Sequence, residues 1–225
     1  MKYFITKRRW DKEKEYSSHK LPITLPVTYI NGKIKVNDKF LLYKKRGKKM
    51  KKKVLLVVDM QNDFLTGALA NEEGQKIIGA VKKRIEECKE EGYEILFTRD
   101  THGENYMETQ EGEKLPVPHC IEGTEGWQIT DELLPYTDSR NVLDKPSFGS
   151  LELPGKIMTR VNDEPVEIEI CGVCTDICVI SNAMILKAAF PETPVKVNGN
   201  LCAGVTPESH ATALEAMKMC QVEVI

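Results

Sequence analysis

Cys178 is the residue in this 225-residue chain best placed to act as a nucleophile. It falls in the first turn of a predicted helix, after a strand and the tight turn Gly172-Val173-Cys174-Thr175-Asp176. Unpaired amides and the helix dipole at such an end stabilise an anion and favour thiolate over thiol. The same outward-pointing N–H groups are ready donors to an oxyanion. Alone, Cys178 reads more readily as a small buried hydrophobe. Asp59 and Lys145 shift that balance, because each falls at the end of a predicted strand. A carboxylate there can accept a proton, and an ammonium beside it would hold it in place and lower the thiol pKa. Asp59 by itself could instead cap the turn that follows.

A second constellation is Asp100-Thr101-His102 followed by His119, which puts two of the four histidines in one loop with acids close by. Asp, His and His can ligate one divalent metal ion such as Zn, Fe or Mn, with waters in the open positions. Glu108 and Glu111 lie between them and could add a carboxylate. Spacing alone leaves ordinary surface-loop polar residues as an equal reading. Cys171, Cys174 and Cys178 also cluster, but no second Cys-x-x-Cys pair follows, which argues against structural zinc.

The elements that must position these residues alternate between strand and helix. Residues 54–59 are a continuous apolar run ending in an acid, as in a strand buried on both faces. The spacing predicts a helix over 71–91, with Ile77, Ile78, Val81, Ile85 and Cys88 on one face and Gly92 ending it. Strands follow at 93–100, 141–143 and 166–172, then a mostly apolar helix at 176–190 and a short strand at 195–198. Thr206 and Pro207 open a helix as N-cap and first residue, with Ala211, Leu214 and Met217 as its apolar face. Residues 222–225 can form a last strand. The expected fold is three-layer α/β/α with a mostly parallel, Rossmann-like sheet, whose ligands bind at the carboxyl ends of the strands. The connection 101–134 has little periodicity and is a candidate functional loop.

Charge divides the chain in two. Residues 1–49 carry 15 basic and 4 acidic side chains, net +11, whereas 50–225 carry 17 and 30, net −13. Met50-Lys51-Lys52-Lys53 running into the first strand reads as the natural start of the domain, so 1–49 is expected to lie outside the mature protein. A basic arm for nucleic acid or an anionic surface is the next reading, and a β-rich piece at 27–42 around the hairpin signal Asn31-Gly32 the third. Nucleic-acid binding is not the expected function. No run approaches the roughly 18 apolar residues of a membrane span. Seven cysteines, an odd number, suit reduced thiols and a cytoplasmic protein. Oligomeric state is left open, a homo-oligomer included.

Taken together, the motifs Val57-Val58-Asp59-Met60-Gln61-Asn62-Asp63-Phe64, Thr98-Arg99-Asp100-Thr101-His102, Pro118-His119-Cys120-Ile121-Glu122-Gly123-Thr124, Asp144-Lys145 and Gly172-Val173-Cys174-Thr175-Asp176-Ile177-Cys178-Val179 are specific. In this order they make residues 54–225 resemble the isochorismatase-like cysteine hydrolases, and among them the nicotinamidases. The resemblance implies a triad of Asp59, Lys145 and Cys178, with thioester chemistry on an amide. It also implies a cis peptide between Val173 and Cys174, and an oxyanion hole from the amides of Cys174 and Cys178. A divalent metal would be held by Asp100, His102 and His119, with Glu111 favoured narrowly over Glu108 as fourth ligand. Phe64 matches an aromatic wall of the substrate pocket; Trp127 could be another or be structural. The implied partner is a small amide such as nicotinamide. The alternatives are a family amidase for a carbamoyl or ureido substrate and a catalytically silent binding module.

Overall fold

The computed structural model describes residues 27–30, 33–36 and 51–225. The chain divides into two units, 1–48 and 49–225. In the first, β1 (Val27–Ile30) and β2 (Lys33–Val36) pair antiparallel with Ile30 opposite Lys33. The Asn31-Gly32 turn expected between them lies outside the described residues, as does the rest of the basic segment.

The second unit begins with β3 (Lys52–Val58), whose last five residues are fully buried. A short helix α1 (Asn62–Leu65) precedes α2 (Glu72–Glu90), where the Asn71 side chain accepts hydrogen bonds from the N–H groups of Glu73 and Gly74. That cap satisfies two of the amides a helix start leaves open. The expected apolar face seats the helix: Val81, Ile85 and Cys88 are buried against the sheet, with Ile77 and Ile78 at its margin. Next come β4 (Glu94–Asp100), the short helix α3 (Gln110–Lys114), β5 (Val142–Lys145), α4 (Leu153–Arg160) and β6 (Val166–Val173). The chain closes with α5 (Ile180–Ala189), β7 (Val195–Ala203), α6 (Pro207–Met219) and β8 (Glu223–Val224).

Six strands pair in the order β5-β4-β3-β6-β7-β8, every neighbour parallel. The alternating sequence pattern therefore yields the expected α/β fold. Helix α2 packs on β4, β6 and β7, while α5 packs on both α4 and α6. Thr206 caps α6 with a reciprocal capping box to Ser209, and Pro207 sits in its first turn.

Four local expectations differ from the structure. Helix α4 falls where no element was expected; burial of Leu153 and Ile157 secures it despite Pro154-Gly155 at its start. Strand β7 continues past the turn-like Asn198-Gly199-Asn200, since pairing with β6 and β8 outweighs local turn chemistry. The buried face of α6 is Ala213 and Met217, with Ala211 exposed. The helix expected from residue 176 opens as a π turn, Thr175–Val179, with Val179 N–H donating to Cys174 O five residues back at 3.1 Å. Among the described residues no helix is long and apolar enough to cross a membrane, and all seven cysteines are free.

Candidate active site

Parallel register brings the polar strand ends together. Asp100 at the end of β4 stands opposite Lys145 at the end of β5, and Val58 of β3 opposite Gly172 of β6. Gly172 has φ +116°, and a Cβ there would lie 2.1 Å from Val58 O. Only glycine lets β6 press on β3 so closely, which sets the following Cys174–Cys178 turn beside Asp59. Asp59 itself has φ +48°, a left-handed conformation that Asp tolerates better than most residues. The Val173–Cys174 peptide is cis.

Lys145 is fully buried. Its Nζ lies 2.7 Å from Asp59 Oδ2, 3.1 Å from Asp100 Oδ1 and 3.5 Å from Cys178 Sγ, and it donates to Ser147 O at 3.0 Å. The Thr98 hydroxyl donates to Asp59 Oδ1 at 2.7 Å. Burial disfavours the ammonium, but Asp59, Cys178 and Asp100 overcome it and hold Lys145 above the usual lysine range. Burial raises the Asp59 carboxyl, with Lys145 working against it, so Asp59 has a strong appetite for a proton. Cys178 departs from the sequence expectation. Burial first, and the Asp59 charge second, push its thiol well above the ordinary value despite Lys145. Both effects disfavour the thiolate and give a neighbouring base the task of removing the proton.

Beside this group, ligand atoms of Asp100, His102, Glu111 and His119 all lie within 4.8 Å of one another. Asp100 Oδ2 is 3.0 Å from His102 Nε2 and 3.7 Å from His119 Nε2, and Glu111 Oε1 is 3.8 Å from both. His119 Nδ1 donates to Val117 O at 2.8 Å, which leaves Nε2, facing the cluster, free to act as a donor to metal. Tyr106 packs edge-on against both imidazoles. Two imidazoles and two carboxylates suit one divalent ion of the Zn, Fe or Mn kind. Burial opposes ionisation of Asp100, but His102, His119 and Lys145 outweigh it and hold the carboxyl below the usual range. Asp100 thus joins the two groups, one oxygen on each.

Both groups border a single cavity. Asp100, Glu111 and His119 line it together with Cys174 and Cys178, and its apolar walls are Phe64, Leu69, Leu115, Phe148 and Ile177. Trp127 is not among the lining residues. Its Nε1 donates to Thr101 Oγ1 at 2.8 Å, and the Arg99 guanidinium sits 3.3 Å over its ring. Sequence reasoning assigned no role to several residues that shape the site. Gln61, fully buried, donates to Asp100 O and Trp127 O and accepts from Asp100 N–H at 2.7 Å. Asp63 accepts the Cys120 N–H at 2.7 Å, next to His119. Both lie within the Asp59 motif, so a buried amide and a second acid close behind a strand end were the signals available. Phe148 follows Lys145 by three residues and carried no signal of its own.

The Isochorismatase domain family matches residues 53–225, and the chain belongs to that family. An uncharacterized isochorismatase family protein, PncA, of Bacillus subtilis (strain 168) is 31% identical over 175 residues, covering 72% of this chain and 92% of that protein. The nicotinamidase/pyrazinamidase of Mycobacterium tuberculosis (strain ATCC 25618 / H37Rv) is 26% identical over 188 residues, covering 77% and 98%. Among solved structures, the pyrazinamidase of Pyrococcus horikoshii in complex with zinc superposes with a TM-score of 0.62 at 30% identity, over 77% of this chain and 98% of that one.

Proposed function

We propose that this chain is a nicotinamidase, converting nicotinamide and water to nicotinate and ammonia. The coarser statement, a hydrolase of the isochorismatase family acting on an amide bond, rests on the family match and on relatives named nicotinamidase. One observation carries the finer reading. A nucleophilic Cys178 and a four-donor metal group border one cavity with aromatic walls, Phe64 and Phe148, suited to a flat ring bearing a carboxamide.

In this reading Asp59 takes the Cys178 proton as sulfur attacks the carboxamide carbon. The amides of Cys174 and Cys178 donate to the developing oxyanion. Asp59 then passes the proton to the leaving nitrogen, the C–N bond breaks, and ammonia departs from the thioester. Water attacks the thioester carbon, giving one proton to Asp59; the C–S bond breaks, Asp59 returns that proton to the Cys178 sulfur, and the product leaves as nicotinic acid, which ionises to nicotinate. Lys145 stays charged throughout and holds Asp59 in place. Asp100, His102, Glu111 and His119 would hold the divalent ion, which when bound supplies a Lewis-acid contact for the ring nitrogen. The proposed hydrolase domain is residues 50–225, and the residues given roles in this chemistry all lie within the family match over 53–225.

Ammonia release from nicotinamide by the reduced, metal-loaded protein tests the reading. Release is expected, with loss on chelation and recovery on adding Zn, Mn or Fe(II). No ammonia from nicotinamide under those conditions would overturn it. Turnover of a ureido substrate by metal-free protein would favour the other amidase reading.

A further inference from the structure

Lys145 leads into a short segment that supplies a cavity wall, Phe148, whose ring is partly exposed. Nothing in residues 146–152 is a strand or helix, so the position of that wall depends on how the segment is fastened. Gly149 lies flush on α5: a Cβ there would come within 2.6 Å of Ile185 Cδ1. Lys145 holds Ser147 O before the wall, and the polar group that fastens Phe148 and Ser150 is Asn182, fully buried and one helical turn beyond Cys178. Its Nδ2 donates to Cys178 O at 2.9 Å and to Phe148 O at 3.2 Å, while its Oδ1 accepts the Ser150 N–H at 3.0 Å. Two carbonyls and one N–H fix the amide orientation, since the flipped form would set oxygen against oxygen.

We infer that Asn182 is a positioning and specificity-determining residue, tying the Phe148 wall to the Cys178 turn and so setting the width of the slot that takes the ring of an amide substrate. The inference rests on the nicotinamidase reading for its substrate and on geometry for everything else. No side chain of the triad or of the metal group bonds to Asn182. Its contacts are to the backbone of the nucleophile's own residue and of the wall.

Asn182→Thr separates the two connections. A threonine hydroxyl can still bond the carbonyl four residues back, here Cys178 O, but is too short to replace the bonds to Phe148 and Ser150. With the wall released, KM for nicotinamide should rise about tenfold, the scale of one lost hydrogen bond. Metal-saturated kcat should stay within about threefold, because the nucleophile keeps its support. Phe148→Ala should raise KM similarly. The double variant should be no worse than Phe148→Ala alone, within about twofold, because both act through one wall. KM effects that multiply, or a kcat loss with KM unchanged, would overturn the inference.

A second arm needs no turnover. Alkylation at Cys178, read by peptide mass mapping, should shift in Asn182→Thr toward iodoacetanilide over the smaller iodoacetamide, and an unchanged ratio would overturn the inference. Wild-type protein in the same assay keeps the two readings apart. If it releases no ammonia from nicotinamide, the functional reading has failed, and the alkylation ratio alone decides the role of Asn182.

Discussion

The two polar groups of the cavity are built by different means. Asp59, Lys145 and Cys178 come from three separate parts of the chain, yet the ladder of a parallel sheet aligns them, with Asp100 opposite Lys145 and Val58 opposite Gly172. Asp100, His102, Glu111 and His119 come mostly from one stretch outside the sheet. Its shape depends on single hydrogen bonds: His102 N–H to Cys120 O, Glu122 N–H to His102 O, Cys120 N–H to Asp63, and the Gln61 amide on Asp100. Sheet register is cooperative, so removing one side chain at the strand ends should delete chemistry and leave neighbours in place. A loop group held by a few bonds should lose binding when a member goes.

Cys178→Ala should show the largest effect. Ammonia release should fall about a thousandfold or more, while metal content and melting temperature stay at the wild-type values. Loss of bound metal in this variant would break the distinction between the groups. His102→Ala should act on the other side of it. Metal content at equal free metal should drop, and KM rise about ten- to a hundredfold, with a smaller change in metal-saturated kcat. A kcat loss as deep as that of Cys178→Ala would place His102 in the chemical step. The smallest effect is expected at Trp127, outside the cavity lining. Trp127→Phe removes the bond to Thr101 and keeps a ring under Arg99, so stability should fall by about 1 kcal/mol in a denaturant titration with KM unchanged. A KM rise beyond about threefold would put the indole in contact with substrate.

How far the sequence carries depends on where each residue finds its partners. Alternating buried strands and amphipathic helices were legible because each follows from local periodicity, as in the run 54–58 and the Val81, Ile85, Cys88 face. Asp59, Lys145 and Cys178 were legible as polar residues at predicted strand ends and turns. Gln61, Thr98 and Asn182 were not, because each acts through hydrogen bonds to another element: Asp100, Asp59 and the 148–150 segment. The π turn was likewise hidden, since a one-residue widening of a helix start leaves apolar spacing nearly unchanged.

The thiol shows the same division. Position at a helix start argued for a depressed pKa, and that argument is local. Burial of Cys178 beside the Asp59 charge reverses it, and burial is a property of the assembled core.

By itself, the sequence determined the order of the strands and of the three longest helices, the polar residues at the strand ends, and a family resemblance that the match over 53–225 bears out. Only the tertiary structure decided that Asp100 serves both polar groups, that Glu111 rather than Glu108 stands in the four-residue cluster, and that Phe148 rather than Trp127 lines the cavity. The physical reason is that local pattern sets which face of each element is buried, whereas distances between side chains on different elements exist only once the sheet has paired and the loops have closed over it.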